Sequence, residues 1–293
     1  MKKNGNNYNL SDKSRRFRTY FQFSMIGICF IAVFALFYAC QSAGNSSGNL
    51  NPDDVEIIQY QLPEDDAPVV VFETSKGTFK AVVYEDEVPE FAEYFIDLVN
   101  EGYYDGTHIF AVQDGVYFMG GSKSLDGTDT DDTDKEKLDP EITPALWPFR
   151  GALISYGDKG GSVFNKKIMS GSRILFVDTV EFTDEFVEEL DSVDGNEELV
   201  NTFKSKGGVP NFSQQYTIFG QVYEGLDVYD DICTAEVTDS ESLNPAVDIT
   251  LDKVYMSTYG ENKNDEFFSL SDSSVTEAPS AENSDSTDIS AES

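Results

Sequence analysis

Between residues 68 and 102 the hydrophobic positions first follow a strand pattern and then a helical one. Val69–Glu73 and Thr78–Tyr84 are rich in apolar and β-branched residues, and Thr74–Gly77 between them is turn-forming. This pattern predicts a β-hairpin. A helix is predicted to begin near Pro89, because proline is tolerated in a first helical turn. Its buried stripe is formed by apolar residues at helical spacing, Phe91, Phe95, Leu98 and Val99.

Six later segments also have the composition of short strands, with turn signals between them. A second short helix is predicted after Gly225, and Thr183–Lys206 reads as one or two inserted helices, broken near Gly195. Many strands with two helices, one near Pro89 and one after Gly225, indicate a mostly β fold, a closed antiparallel barrel over residues 68–258. The six segments are Thr107–Val112, Val116–Met119, Gly151–Tyr156, Arg173–Asp178, Tyr216–Val222 and Ile249–Met256.

The first forty residues have the composition of a membrane-targeting segment. Residues 1–20 carry six basic side chains and one acidic one, a balance of +6 − 1 = +5, and residues 21–40 carry no charge. About 20 apolar helical residues span a hydrocarbon core of roughly 30 Å. The basic flank predicts a cytoplasmic N-terminus, with the globular part on the extracytoplasmic side of the cell membrane. Residues 21–40 are then a transmembrane anchor or an export signal.

Cys40 offers a second route to the membrane. Phe37-Tyr38-Ala39-Cys40 is similar to a bacterial lipoprotein processing site, in which Cys40 is lipidated. The alternative is that Cys40 is the last residue of an uncleaved membrane helix. Cys29 lies inside the apolar span, so Cys233 is the one thiol left for the globular part. We therefore expect no internal disulfide framework and no structural zinc site.

Charge and composition set the regions that flank the predicted barrel. The net charge of −34 argues against nucleic acid, which selects basic surfaces. Residues 41–67 are rich in Ser, Gly, Asn and Asp and are predicted to form a surface linker. Residues 259–293 are acidic and rich in serine, and they are predicted to form a disordered tail in which Phe267 and Phe268 could dock weakly.

Two features suggest chemistry that the rest of the chain does not support. Residues 126–141 form an acidic loop whose carboxylates suit Ca²⁺, but the run lacks the order of an EF-hand, so a solvated loop is the favoured interpretation. His108, the single histidine, has no Ser or Cys partner for a triad and is interpreted as a rim or structural residue. The carboxylates in question are Asp129, Asp131, Asp132, Asp134 and Glu136.

Gly102–Gly121 is the most informative segment of the chain. It begins Gly-Tyr-Tyr-Asp-Gly-Thr and closes on Gly-Gly. In this it resembles the G-Y-Y-D-G-T-x-F-H-R-V and Q-G-G segment of cyclophilin-type peptidyl-prolyl isomerases. Other blocks similar to that family follow in the same order: Glu73–Lys80, Arg150–Leu153, Gly171-Ser172, Gly207–Pro210 and Tyr216–Val222.

The resemblance implies an eight-stranded β-barrel closed by two helices and a peptidyl-prolyl cis-trans isomerase. It also implies proline-containing segments of exported proteins as partners, and no cofactor or metal. Yet the catalytic arginine of the family falls at Ala111, and the histidine before it at Phe110. The other positions of the substrate groove fall at Val116, Met119, Arg173, Leu175, Asn211 and Tyr216.

These departures leave two hypotheses open. Alanine cannot donate the hydrogen bond that a twisted prolyl amide accepts, so one hypothesis is a weak isomerase that relies on an apolar groove and backbone groups. The other is a non-catalytic module that binds a peptide or protein through a remodelled groove. Arg173 replaces a groove glutamine and could bring a guanidinium toward the site. That requires Arg173 to lie on the face of Ala111, Val116 and Leu175. The alternative, which the acidic composition favours, is a solvated or ion-paired arginine.

Overall fold

The computed structural model of the 293-residue protein describes residues 55–128, 136–157, 159–162, 165–192 and 197–269. These residues contain ten strands: β1 (Pro68–Thr74), β2 (Gly77–Val83), β3 (Thr107–Gln113), β4 (Tyr117–Ser122), β5 (Ala152–Tyr156), β6 (Lys159–Ser162), β7 (Asn165–Ile168), β8 (Arg173–Val177), β9 (Ile218–Glu224) and β10 (Ile249–Thr258). Eight of them close an antiparallel barrel in the order β1-β10-β3-β4-β8-β5-β9-β2. The predicted fold class is confirmed.

The same residues contain five α-helices. Two of them are the pair expected beside the barrel, and two form the predicted insertion, which confirms its helical character. The fifth was not predicted. The helices are α1 (Pro89–Asn100), α2 (Asp184–Asp191), α3 (Glu197–Lys206), α4 (Leu226–Cys233) and α5 (Asp265–Ser269).

The barrel interior is filled by stacked aromatic rings. Phe118 on β4 stacks on Phe176 on β8, with 4.4 Å between ring centres. Phe79 of β2 meets Phe176 edge to face at 5.7 Å, and Tyr229 of α4 lies 5.0 Å from Phe118. All four are fully buried. Because successive strand residues point to opposite faces, the neighbours of Phe118 and Phe176 along their strands face outward.

Helix α1 buries the stripe that its sequence predicts, Phe91, Phe95, Leu98 and Val99. Its N-terminus is capped from the acidic loop, because the Glu141 carboxylate accepts hydrogen bonds from the backbone N–H groups of Phe91 (2.7 Å) and Glu90 (3.3 Å). A negative charge at this helix end also interacts favourably with the helix dipole. The loop is therefore tied to the barrel at its C-terminal end.

The expected linker over residues 41–67 is wrong for residues 55–60, which pack on the barrel, while most of residues 61–66 are exposed. Gln59 is fully buried, and its side-chain amide donates to the carbonyl oxygen of Trp147 (2.8 Å) and to Oε1 of Gln221 (2.9 Å). The backbone N–H of Trp147 donates back to Oε1 of Gln59 (2.7 Å). Polar composition suggested solvent, but a buried polar side chain is stable where its hydrogen bonds are satisfied. Residues 41–54 lie outside the described residues.

The expected disordered tail over residues 259–293 is wrong for residues 259–269. Tyr259 and Phe268 are buried, and each ring lies 5.6 Å from Tyr223 of β9. The acidic composition is outweighed here because two large rings bury enough apolar area to order a short segment. Residues 270–293 lie outside the described residues, as does the predicted helix break at Gly195.

The sequence patterns also missed a small hairpin. Strands β6 and β7, which lie between β5 and β8 along the chain, pair with each other antiparallel and form a separate two-stranded sheet. Residues 1–54, with the predicted membrane span and Cys40, are outside the described residues. Among the residues that are described, none of the helices is long and apolar enough to cross a membrane.

Replacement of Phe268 by alanine should lower the free energy of unfolding of the full-length protein by about 3 kcal/mol, because loss of a buried ring leaves a cavity. Chemical denaturation followed by the fluorescence of Trp147, the one tryptophan, measures this. Phe267→Ala, on the same helix but only partly buried, is the matched control and should cost less. Unchanged stability in Phe268→Ala would show that the segment does not contribute to the fold.

Candidate active site

An apolar row crosses four neighbouring strands on the outer face of the barrel. Ala111 of β3 is paired with Met119 of β4, Met119 with Leu175 of β8, and Leu175 with Ile154 of β5. Their exposed fractions are 8%, 8%, 4% and 0% in that order. The structure thus brings together three of the sequence-predicted groove residues and adds Ile154. The row can hold an apolar ring but contains no hydrogen-bond donor in its side chains.

Val116 lies in the turn between β3 and β4. The turn is held by Asp178, which follows β8. Its carboxylate accepts a hydrogen bond from the N–H of Gly115 (3.2 Å), and its own N–H donates to the carbonyl oxygen of Val116 (2.9 Å). Val116 is buried. The apolar side chain expected in the groove is therefore fixed by contacts from the neighbouring strand.

Half-buried aromatic rings form a rim beside the row. The rings of Tyr117 and Phe212 are 6.4 Å apart, those of Phe212 and Tyr216 are 5.6 Å apart, and those of Tyr216 and Tyr156 are 6.4 Å apart. Burial, and next the nearby Tyr156, raises the pKa of Tyr117, so its phenol is neutral at physiological pH. Tyr216 was predicted from the sequence. The rim offers ring faces that suit a proline or another apolar side chain.

Asn211 lies in the loop before the rim, in a short 3₁₀ turn (Pro210–Phe212). Its Oδ1 is buried and has no hydrogen-bond partner among the described residues, and the same holds for Oε1 of Gln214. Gln214 also adopts a positive φ of 60°, which non-glycine residues rarely do. This loop therefore combines two buried oxygens that lack a hydrogen bond with a strained backbone.

Arg173 lies on the same face of β8 as Leu175, because the two are separated by one residue. It is only 8% exposed. Its Nη1 donates to the backbone carbonyl oxygen of Gly121, and its guanidinium lies 5.9 Å from the ring centre of Phe110. Arg173 therefore lies on the face of the barrel that its proposed role requires. Phe110 itself is half-buried, and its carbonyl oxygen accepts a hydrogen bond from Asn244 (2.7 Å).

The other candidates lie outside this site. His108 pairs through Nδ1 with Asp248 (2.8 Å), which gives it a structural partner. Cys233 is buried, and burial raises the pKa of its thiol well above the ordinary value, so it is not a nucleophile.

Metal binding finds no support in the part of the chain that the structure describes. No group of three or more His, Cys, Asp or Glu side chains is placed there to hold an ion. The carboxylates considered for Ca²⁺ at positions 129, 131, 132 and 134 lie outside the described residues, and Glu136 is exposed.

Sequence reasoning missed Ile154, Tyr156, Tyr117 and Phe212. A signal for three of them was present. Tyr117 is two residues before Met119, and Ile154 and Tyr156 alternate along β5 as same-face residues do. No local pattern points to Phe212, which reaches the site from a loop. Cross-strand pairing and loop packing joined these residues to the predicted ones.

The closed eight-stranded antiparallel barrel is the fold that the sequence resemblance implies. Residues 69–254 match the family model described as cyclophilin type peptidyl-prolyl cis-trans isomerase/CLD. The match covers more than half of the 293 residues. The chain therefore belongs to the cyclophilin-type peptidyl-prolyl cis-trans isomerases, a family of enzymes.

Named relatives agree with this assignment. A protein of Staphylococcus saprophyticus that carries a peptidyl-prolyl cis-trans isomerase name is 26% identical over 185 residues, 63% of this chain and 89% of that protein. A similarly named protein of Staphylococcus aureus is 24% identical over the same shares. The crystal structure of a cyclophilin-type isomerase from Cryptosporidium parvum aligns with a TM-score of 0.50 at 18% identity, over 66% of this chain and 98% of its own. This likeness shows the fold.

The site also generates a prediction about pH. Burial raises the pKa of Asp178 above its ordinary value, although hydrogen bonds from Thr179 and Gly115 and the charge of Arg150 oppose the shift. Since the folded state holds this proton more tightly than the unfolded state, stability falls as pH rises from the unfolded pKa through the folded one. Asp178→Asn keeps an oxygen for Gly115 and cannot ionise. It should be more stable than wild type at pH 7.

Urea unfolding of both proteins between about pH 3 and pH 7 measures this difference. It should vanish near pH 3, below the unfolded carboxyl pKa of about 3.9, where wild-type Asp178 is protonated in both states. Asp178→Ala is the control, because it also loses the acceptor for Gly115 and should be less stable than Asp178→Asn. A wild type more stable than Asp178→Asn at pH 7 would contradict the assigned direction.

Proposed function

We propose that this protein is a slow prolyl isomerase that assists the folding of exported proteins. The observation that carries the proposal is the continuous row Ala111, Met119, Leu175 and Ile154, with the aromatic rim beside it. It retains an apolar surface for a proline ring and lacks the donor at position 111. The chain's membership of the isomerase family supports the reaction type.

The chemistry explains why the rate should be low. Rotation about an X–Pro bond crosses a barrier of about 18–20 kcal/mol that amide resonance imposes. In the twisted transition state the proline nitrogen becomes a hydrogen-bond acceptor, so a fixed donor lowers the barrier. An apolar row can grip the ring and exclude water, but it stabilises the planar and twisted forms alike. Only the part of binding that is stronger in the twisted form accelerates the reaction.

Ala111→Arg should raise kcat/KM by about 10²-fold, because it restores a charge-assisted donor on β3. A coupled assay of cis-to-trans isomerisation of an Ala-Pro peptide, with the purified full-length protein, measures the rate. Ala111→Leu is the matched control, since it fills the same space without a donor and should bring no gain.

The alternative is a non-catalytic module that binds proline-containing segments in the same groove. Binding of the peptide, followed by titration calorimetry, without any acceleration by wild type would contradict the isomerase and support the module. In that case a gain in Ala111→Arg would still locate the lost function at position 111.

We further propose that the protein is attached to the cell membrane, with the barrel on the extracytoplasmic side. The support is the basic segment 1–20 followed by the uncharged span 21–40 and Cys40. If Cys40 is lipidated, Cys40→Ser expressed in a bacterial host should lose incorporated palmitate, while Cys29→Ser keeps it. If the span is an uncleaved anchor, neither variant carries palmitate and both sediment with membranes. Recovery of wild type in the soluble fraction would contradict both routes.

A further inference from the structure

We propose that Arg173 supplies, with reduced effect, the hydrogen bond to the proline nitrogen that Ala111 cannot supply, so the wild type keeps a slow rate. The guanidinium would thus enter the site from β8 instead of β3. The inference rests on the proposed isomerase function and adds a catalytic residue to it.

The first argument is position. Arg173 and Leu175 share the outer face of β8, and Leu175 is paired with Met119, which is paired with Ala111. The sequence contains five arginines, of which Arg150 and Arg173 lie in the barrel domain. Arg150 pairs with Asp230 and stacks over Tyr229, away from the apolar row. Arg173 is therefore the barrel arginine that borders the groove.

The second argument is the direction of the side chain. From β8 it crosses to β4, where Nη1 donates to the carbonyl oxygen of Gly121, and it reaches β3, where it lies over the ring of Phe110. Phe110 is the residue immediately before Ala111. The guanidinium consequently lies beside the backbone segment at which the sequence resemblance implies a catalytic arginine.

The third argument is preorganisation. Arg173 is only 8% exposed. A buried guanidinium interacts more strongly with a developing hydrogen-bond acceptor than a guanidinium in water does. The Gly121 carbonyl and the Phe110 ring hold the plane of the group, and Tyr103 Oη lies 3.4 Å from Nη1. Tyr103 in turn is 3.0 Å from Ser172 Oγ. A donor held in this way needs little reorganisation when the amide twists.

The decisive variant is Arg173→Gln. Glutamine is the residue that the resembled family carries at this position, so the barrel should accommodate it. In the isomerisation assay with the full-length protein, kcat/KM should fall at least tenfold, because loss of one preorganised donor costs up to about 10²–10³ in rate. Peptide affinity should change less than twofold. Arg150→Gln, which removes the other barrel arginine, is the matched control and should keep the wild-type rate.

Two further variants separate catalysis from a structural role. The gain from Ala111→Arg should be larger in the Arg173→Gln background than in the wild type, because the two guanidinium groups supply the same hydrogen bond; a purely structural Arg173 predicts equal gains in both backgrounds. Arg173→Lys keeps the charge but loses the planar fork of donors, and it should lose most of the rate. It also serves as the test if Arg173→Gln does not fold, as judged by circular dichroism.

The outcomes distinguish this inference from the proposed function. An active wild type and an equally active, folded Arg173→Gln would overturn the role of Arg173 and leave the isomerase standing. An inactive wild type would overturn both. A fall in rate that is matched by an equal loss of peptide affinity would assign Arg173 to binding and also overturn its catalytic role.

Discussion

The stacked pair of Phe118 and Phe176 inside the barrel is the contact on which the site depends. It fixes the registers of β4 and β8, with Met119 opposite Leu175. Because side chains alternate with a period of two, a slip of one residue would turn Met119 and Leu175 inward and bring the phenylalanines to the surface. The apolar row thus exists because the opposite face of the same strands is filled with aromatic rings.

The chemical character of the groove contrasts with that of the rest of the protein. The chain has a net charge of −34, yet residues 207–223, which carry the loop and the strand behind the rim, contain no charged side chain. A neutral groove on an acidic protein favours recognition by apolar contact and hydrogen bonding over charge attraction. Arg173 is a charged residue at this groove, and its burial is offset by the Gly121 carbonyl and the Phe110 ring.

The regular elements were predictable because their information is local. The apolar and β-branched runs Val69–Glu73 and Thr78–Tyr84 and the helical spacing after Pro89 led to elements that the structure contains. The predictions failed where distant contacts outweigh composition. Gln59 reads as part of a linker until Trp147 and Gln221 complete its hydrogen bonds. The segment around Phe268 reads as disordered until Tyr223 and Tyr259 cover its ring.

The sequence by itself determined the family, the barrel, the helical insertion and the alanine at position 111, where the resemblance implies an arginine, because motifs and periodicity are properties of neighbouring residues. Only the tertiary structure decided which side chains form one surface. Ala111, Met119, Leu175 and Ile154 come from four strands, and Phe212 arrives from a loop. The same is true of Arg173, whose guanidinium reaches Phe110, a residue 63 positions earlier, since 173 − 110 = 63. Such contacts are set by barrel closure, which brings together strands that are remote along the chain.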